Sequence, residues 1–205
     1  MGNLLNPDNA VMQFITKIVY SVYLNILWFI CCIPIVTIGA STTALFYVSL
    51  KIVKNEEGNI TKSFFHSFKE NFKQATGIWL ILLLIGIILG VDWYVLYRLR
   101  FSNAFWTIIT AIFLVAVTAY AIVFMYIFPL VSRFSNTTKA MFKNSLFIGM
   151  RFLLCTVLMA AIYFIMLFII INVMTPVIVF GMGTCALLCS YLLTNIFTLC
   201  EEKSS

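Results

Sequence analysis

The sequence predicts an all-α, polytopic membrane protein with five transmembrane helices and amphipathic helices at the cytoplasmic interface. Three observations carry this prediction. Apolar residues make up 63% of the chain and charged residues 10%, against about a quarter charged in soluble domains. Second, the apolar residues fall in five runs, at 18–38, 76–97, 104–131, 152–173 and 176–199, each close to the ~20 residues that carry a helix across the hydrocarbon core. Third, strand-like alternation is absent, and a backbone in lipid must satisfy its own hydrogen bonds, so each run is expected to be a helix. The hydrophilic stretches are too short to fold separately, so residues 1–205 are read as a single integral membrane domain.

The first run is expected to anchor the chain rather than act as a cleaved leader, because its apolar stretch is too long and no small-x-small site follows. Its end carries an unusual mixture, "PIVTIGASTT", from Pro34 to Thr43. Ninety-five positions later "PLVSRFSNTT", from Pro129 to Thr138, lies over it without a gap. Each copy closes an odd-numbered span, which suggests two parallel repeats of span, cytoplasmic segment and return span, with the fifth span added. Pro34 and Pro129 each remove a backbone donor and favour a kink. Ser41 and Asn136 are strong N-cap types, so interfacial helices are expected at 42–54 and 137–149. Thr37, Thr42, Thr43, Ser132, Thr137 and Thr138 complete the motif. Two readings stay open: a helix exit with a cap, or paired broken helices whose freed polar groups line a cavity.

A third interfacial helix is expected at 60–75, after a turn in which Gly58 is the pivot. Phe65, Phe68 and Phe72 recur at helical spacing, with Phe64 beside them, opposite Lys62, His66, Lys69 and Lys73. An aromatic face against a basic one suits a helix in the headgroup region or one docked in a partner's groove. Farther on, Gly86 and Gly90 form a GxxxG pair, and Gly181 and Cys185 repeat that spacing with Cys189. Small residues one turn apart let helices approach, so these read as packing seams. Thr175 and Pro176 would cap and open the fifth span.

Orientation follows from the cations. Ten Lys and Arg side chains fall in the 51–73 and 133–151 connections and the tail, and three (Lys17, Arg98, Arg100) on the other side. This bias places the N-terminus outside and the C-terminus in the cytoplasm. The net charge of +6 is then a collar drawn to anionic headgroups. Nucleic acid is not expected as a partner, since no recognition motif accompanies the charge.

Catalytic chemistry is hard to find. The six cysteines lie in or beside the runs without a CxxC pair, and the single histidine, His66, lies among lysines. No HExxH, GxxxxGK[ST] or Ser-His-Asp set is present. The chain is therefore expected to be non-enzymatic, without cofactor or metal. Asp92 is the one acid within a run and is expected to pair with arginine or water near the interface. Asn25 is expected to make an interhelical hydrogen bond.

Several segments together resemble the YesL-type bacterial membrane protein family. They are the early Asn-Pro, "NILW" at 25–28, "PIVTIGASTTAL" at 34–45 and "SFKENFKQA" at 67–75. The resemblance is closest through about residue 85. Genes of that family often lie beside those of carbohydrate ABC transporters and glycoside-degrading enzymes. The resemblance thus implies a protein of the bacterial plasma membrane with a role in carbohydrate uptake or its control, partnered by lipid and by ABC transporter subunits or its own copies. A small oligomeric transporter or channel for a neutral solute is the alternative that the repeated breaks suggest.

Overall fold

The computed structural model describes residues 10–56, 58–98, 104–172 and 178–201. Every regular element among them is helical. The order is α1 (Ala10–Cys31), a short 3-10 turn (Ile35–Thr37), α2 (Ile38–Val53), α3 (Ile60–Arg98), α4 (Ala104–Arg133), α5 (Thr138–Arg151), α6 (Leu153–Asn172) and α7 (Ile178–Glu201).

Apolar side chains cover the outside of the molecule as well as filling its core. Large apolar side chains face outward along α3, α4 and α6, among them Leu84, Val115 and Leu154, which is 76% exposed. A continuous exposed apolar surface of this kind suits a bilayer rather than water. Five stretches are long and apolar enough to cross a membrane: Ile35–Val53, Ile60–Arg98, Phe105–Arg133, Leu153–Asn172 and Gly181–Leu199. The number matches the expectation but the membership differs. The apolar part of α1, Ile15–Cys31, is shorter than the others, and α2 takes its place.

The helix expected at the interface over 42–54 is in fact the centre of the molecule. It begins at Ile38, and Ala40, Ser41, Thr43, Ala44, Leu45, Val48 and Ile52 are buried. α1, α3, α4 and α7 all pack on it. The reason is its composition. Lys51 is the one charge in α2, and a helix that is apolar or small all round is buried.

α1 ends at Cys31 rather than running to 38, because proline disfavours helical geometry in the residue before it and cannot donate a backbone hydrogen bond. The α2–α3 turn uses two left-handed residues, Asn55 (φ 56°) and Gly58 (φ 48°). Asn59 Oδ1 then accepts from the Lys62 amide at 3.1 Å, an N-cap that starts α3.

The expected interfacial helix at 60–75 and the span at 76–97 form one unbroken helix of 39 residues. At 1.5 Å per residue it is about 58 Å long, well beyond the ~30 Å of hydrocarbon. The ladder runs on through Thr76 and Gly77, poor helix formers, because no proline interrupts it there. α4 likewise continues through Pro129 to Arg133. That proline lies in the last turns of α4, where it removes one intrahelical bond and the remaining ladder holds, with Phe134 N still reaching Leu130 O at 2.9 Å. The span expected at 152–173 corresponds to α6 and the interfacial helix expected at 137–149 to α5. Thr175 and Pro176 lie outside the described residues.

The element order repeats as long helix, short helix, long helix: α1–α2–α3, then α4–α5–α6, with α7 added. The residue overlay does not hold at the motif. α2 starts at Ile38 and α5 at Thr138, so the helix starts are offset differently from the prolines.

Candidate functional site

The hydroxyls of the first motif are turned inward to their own helix. Ser41, Thr42 and Thr43 donate to the carbonyls of Thr37, Ile38 and Gly39 at 2.9, 2.7 and 2.9 Å. Such back-bonding satisfies a buried hydroxyl without a cavity. Trp28 Nε1 adds a donor to Thr42 Oγ1 at 3.1 Å. Thr37 does the capping: its hydroxyl lies 2.6 Å from Cys31 O and 2.7 Å from Pro34 O, covering the exposed end of α1. Ser41 is therefore not an N-cap; it lies inside α2 and is buried.

The second copy differs. Ser132 donates back to Pro129 O at 2.7 Å. Thr137, not Asn136, is the N-cap residue of α5, and Thr138 is the first helical residue; no side-chain bond caps the helix. Asn136 is exposed, and its carbonyl accepts from Gln74 Nε2 at 2.7 Å.

The two breaks nonetheless come together on one stretch of α3. Gln74 holds the α4–α5 connection, and Trp79 Nε1 donates to Ile35 O of the α1–α2 connection at 2.8 Å. Between them, Gly39 presses on the Ala75 carbonyl, with Trp79 Cβ 2.6 Å from where a Cβ at Gly39 would stand. In the sequence Gln74 looks like an ordinary polar residue, and Trp79 reads as an aromatic-belt residue near a span end. The one clue was that they flank Gly77 at the start of an apolar run.

The phenylalanine face divides. Phe64 is fully buried, while Phe65 and Phe72 remain 40% and 36% exposed. Their rings form a chain, Phe64 to Phe65 at 5.6 Å, Phe64 to Phe68 at 6.4 Å and Phe68 to Phe72 at 5.5 Å. Lys69 and Lys73 are exposed beside them. The start of α3 is docked on its inner side, where Tyr23 of α1 meets Thr61 at 2.7 Å.

Asn25 is buried, and its Oδ1 accepts from the Gly183 amide of α7 at 2.9 Å. Gly183 is the closest approach in this seam, against the Ser21 carbonyl and Asn25 Cβ. Gly181 faces Met166 and Ile170 of α6, and Cys185 and Cys189 are buried along the same helix. The seam expected of Gly86 and Gly90 is not formed as a pair. Gly86 lies under the Tyr120 hydroxyl, whereas Gly90 is exposed, with nothing within 4 Å of where a Cβ would project.

Asp92 is exposed in a cleft of about 410 Å³ between α3 and α4, walled by Leu89, Val95 and Trp106 among others. Arg98, one expected partner, donates instead to Tyr94 Oη at 3.1 Å; Arg100 lies outside the described residues. Among the described residues no group of three or more His, Cys, Asp or Glu side chains could hold a metal.

These features define an all-helical membrane protein built around a buried central helix. Residues 21–93 match the family described as "Protein of unknown function, DUF624". The chain is also 26% identical over 157 residues to "Uncharacterized protein YesL" of Bacillus subtilis (strain 168), covering 75% of this chain and 73% of that protein. Together the two matches support a YesL-type family of uncharacterised function, in agreement with the sequence motifs. No solved structure matches the chain.

Proposed function

We propose that this protein is a multi-pass component of the bacterial plasma membrane that acts, without catalysis, as an accessory or regulatory partner of an ABC-type carbohydrate uptake system. Its N-terminus is outside and its C-terminus cytoplasmic in this reading, which the distribution of lysine and arginine supports. The observation that carries the partner role is the divided aromatic face of α3. Phe64 is committed to the core, but Phe65 and Phe72 stay open next to Lys69 and Lys73 on a helix continuous with a span. Exposed aromatics two turns apart are the anchors of a helix-in-groove contact. The carbohydrate assignment rests on the family resemblance alone.

The alternative, a small oligomeric transporter or channel for a neutral solute, draws on the repeated breaks and the hydroxyls within them. The back-bonding of Ser41, Thr42 and Thr43 inside α2 weighs against a hydroxyl-lined path there and supports the partner reading. Photoreactive groups placed at Phe65 and Phe72 in intact cells test the proposal. Crosslinks to a transporter subunit, and loss of that subunit from copurification with the Phe65→Ala/Phe72→Ala double variant, are the expected result. Crosslinks to lipid only, with no transporter subunit recovered in mild detergent, would refute it.

A further inference from the structure

We propose that the cleft where α4 turns into α5 is a site for one anionic glycerophospholipid, with Arg151 as its phosphate anchor. The cleft encloses about 210 Å³ and is lined by Leu130, Phe134, Met141, Phe147 and Ile148, with Asn136, Asn144 and Arg151 as its polar members. Met141, Asn144, Ile148 and Arg151 follow helical spacing, so they form one stripe of α5. Neither the Asn144 amide nor the Arg151 guanidinium makes a hydrogen bond or ion pair among the described residues. Arg151 only overhangs the Phe152 ring, at 5.8 Å.

Charge selects the occupant. From Arg133 to Arg151 the chain carries four basic side chains and no acid, so the mouth of the cleft attracts an anion. Guanidinium matches a phosphate through two parallel hydrogen bonds, and the two asparagine amides suit headgroup or ester oxygens. The walls select an amphiphile over a free anion. They are apolar, and beyond Arg151 they pass into Leu153 and Leu154, which are exposed on α6. The acyl chains lie along Leu153 and Leu154 of α6 while the phosphate stays at Arg151. The site stands whether or not the chain binds a transporter, since its ligand is the bilayer itself.

The test is native mass spectrometry of protein reconstituted from an equimolar mixture of phosphatidylglycerol and phosphatidylcholine. One phosphatidylglycerol is expected to stay bound in preference to phosphatidylcholine. Arg151→Gln should lower that retention about tenfold, the scale of a lost charge-assisted hydrogen-bonded pair. Lys139→Gln removes the same charge from an exposed position of α5 outside the cleft and should change retention by less than about twofold, as for a screened surface charge. Asn144→Leu keeps every charge and should still weaken retention, which decides the matter should Arg151→Gln fold poorly. Equal retention of the two lipids, or equal losses for Arg151→Gln and Lys139→Gln, would overturn the site in favour of a diffuse basic surface.

Discussion

Gly39→Ala probes the crossing on which the two helix breaks depend. The new methyl would meet the Ala75 carbonyl oxygen and come within 2.6 Å of Trp79 Cβ. The first obstacle is backbone, so no rotamer change relieves it; α2 must move off α3. Overpacking of this kind costs about 1–3 kcal/mol, and a contact against backbone belongs near the top of that range. Alanine recovers up to about 1 kcal/mol through helix propensity, which leaves a net loss of about 2 kcal/mol. The displacement also stretches the 2.8 Å bond from Trp79 Nε1 to Ile35 O. The assay is reversible unfolding in mixed micelles, with Gly90→Ala as the comparison. A methyl at Gly90 meets nothing within 4 Å, so that variant should be unchanged or up to about 1 kcal/mol more stable. Gly39→Ala as stable as the parent protein would refute the close crossing, and a large loss for Gly90→Ala would restore the GxxxG seam through contact with a second copy.

Other substitutions separate buried from exposed roles. Phe64→Ala should cost about 3–5 kcal/mol as a core truncation, whereas Phe65→Ala and Phe72→Ala should shift stability by less than about 1 kcal/mol, read by the same unfolding assay. Asn25→Leu removes the acceptor for the Gly183 amide and should cost about 1 kcal/mol, within the range for interhelical bonds in membranes; no change would show that bond to be idle. Thr37→Val uncovers the Cys31 carbonyl, while Pro34 O keeps the Thr37 amide at 3.0 Å, and should lose about 1 kcal/mol; Thr43→Val, whose hydroxyl only shares a helix carbonyl, should lose less. Reversing that order in the measured midpoints would dismiss the capping role of Thr37.

The membrane class, the positions of α4 to α7 and the turn at Gly58 were legible because they depend on local composition: long apolar runs, and a glycine where the backbone turns left-handed. Asn25 was legible too, since a lone amide in an apolar helix needs a partner. The motif misled in detail. Ser41 has the chemistry of an N-cap, yet the start of α2 is set by the break at Pro34, and Ser41 is already inside a helix that begins at Ile38. Lys51 and Lys54 suggested a basic interfacial face for α2, but the apolar, small and hydroxyl-bearing residues from Ile38 to Leu50 dictate burial. The start of α3 gave no internal sign of whether it bends away from its span, because amphipathicity reports a face and not an angle.

Hydropathy and charge by themselves determined that this chain belongs in lipid as a bundle of helices, because the balance of apolar and charged residues is summed over the chain and is insensitive to arrangement. Only the tertiary structure decided that α2 is the core, that Gln74 and Trp79 tie both helix breaks to α3, and which phenylalanines stay open. Those outcomes depend on contacts between residues tens of positions apart, and on glycines whose missing methyl matters only once another backbone lies against them.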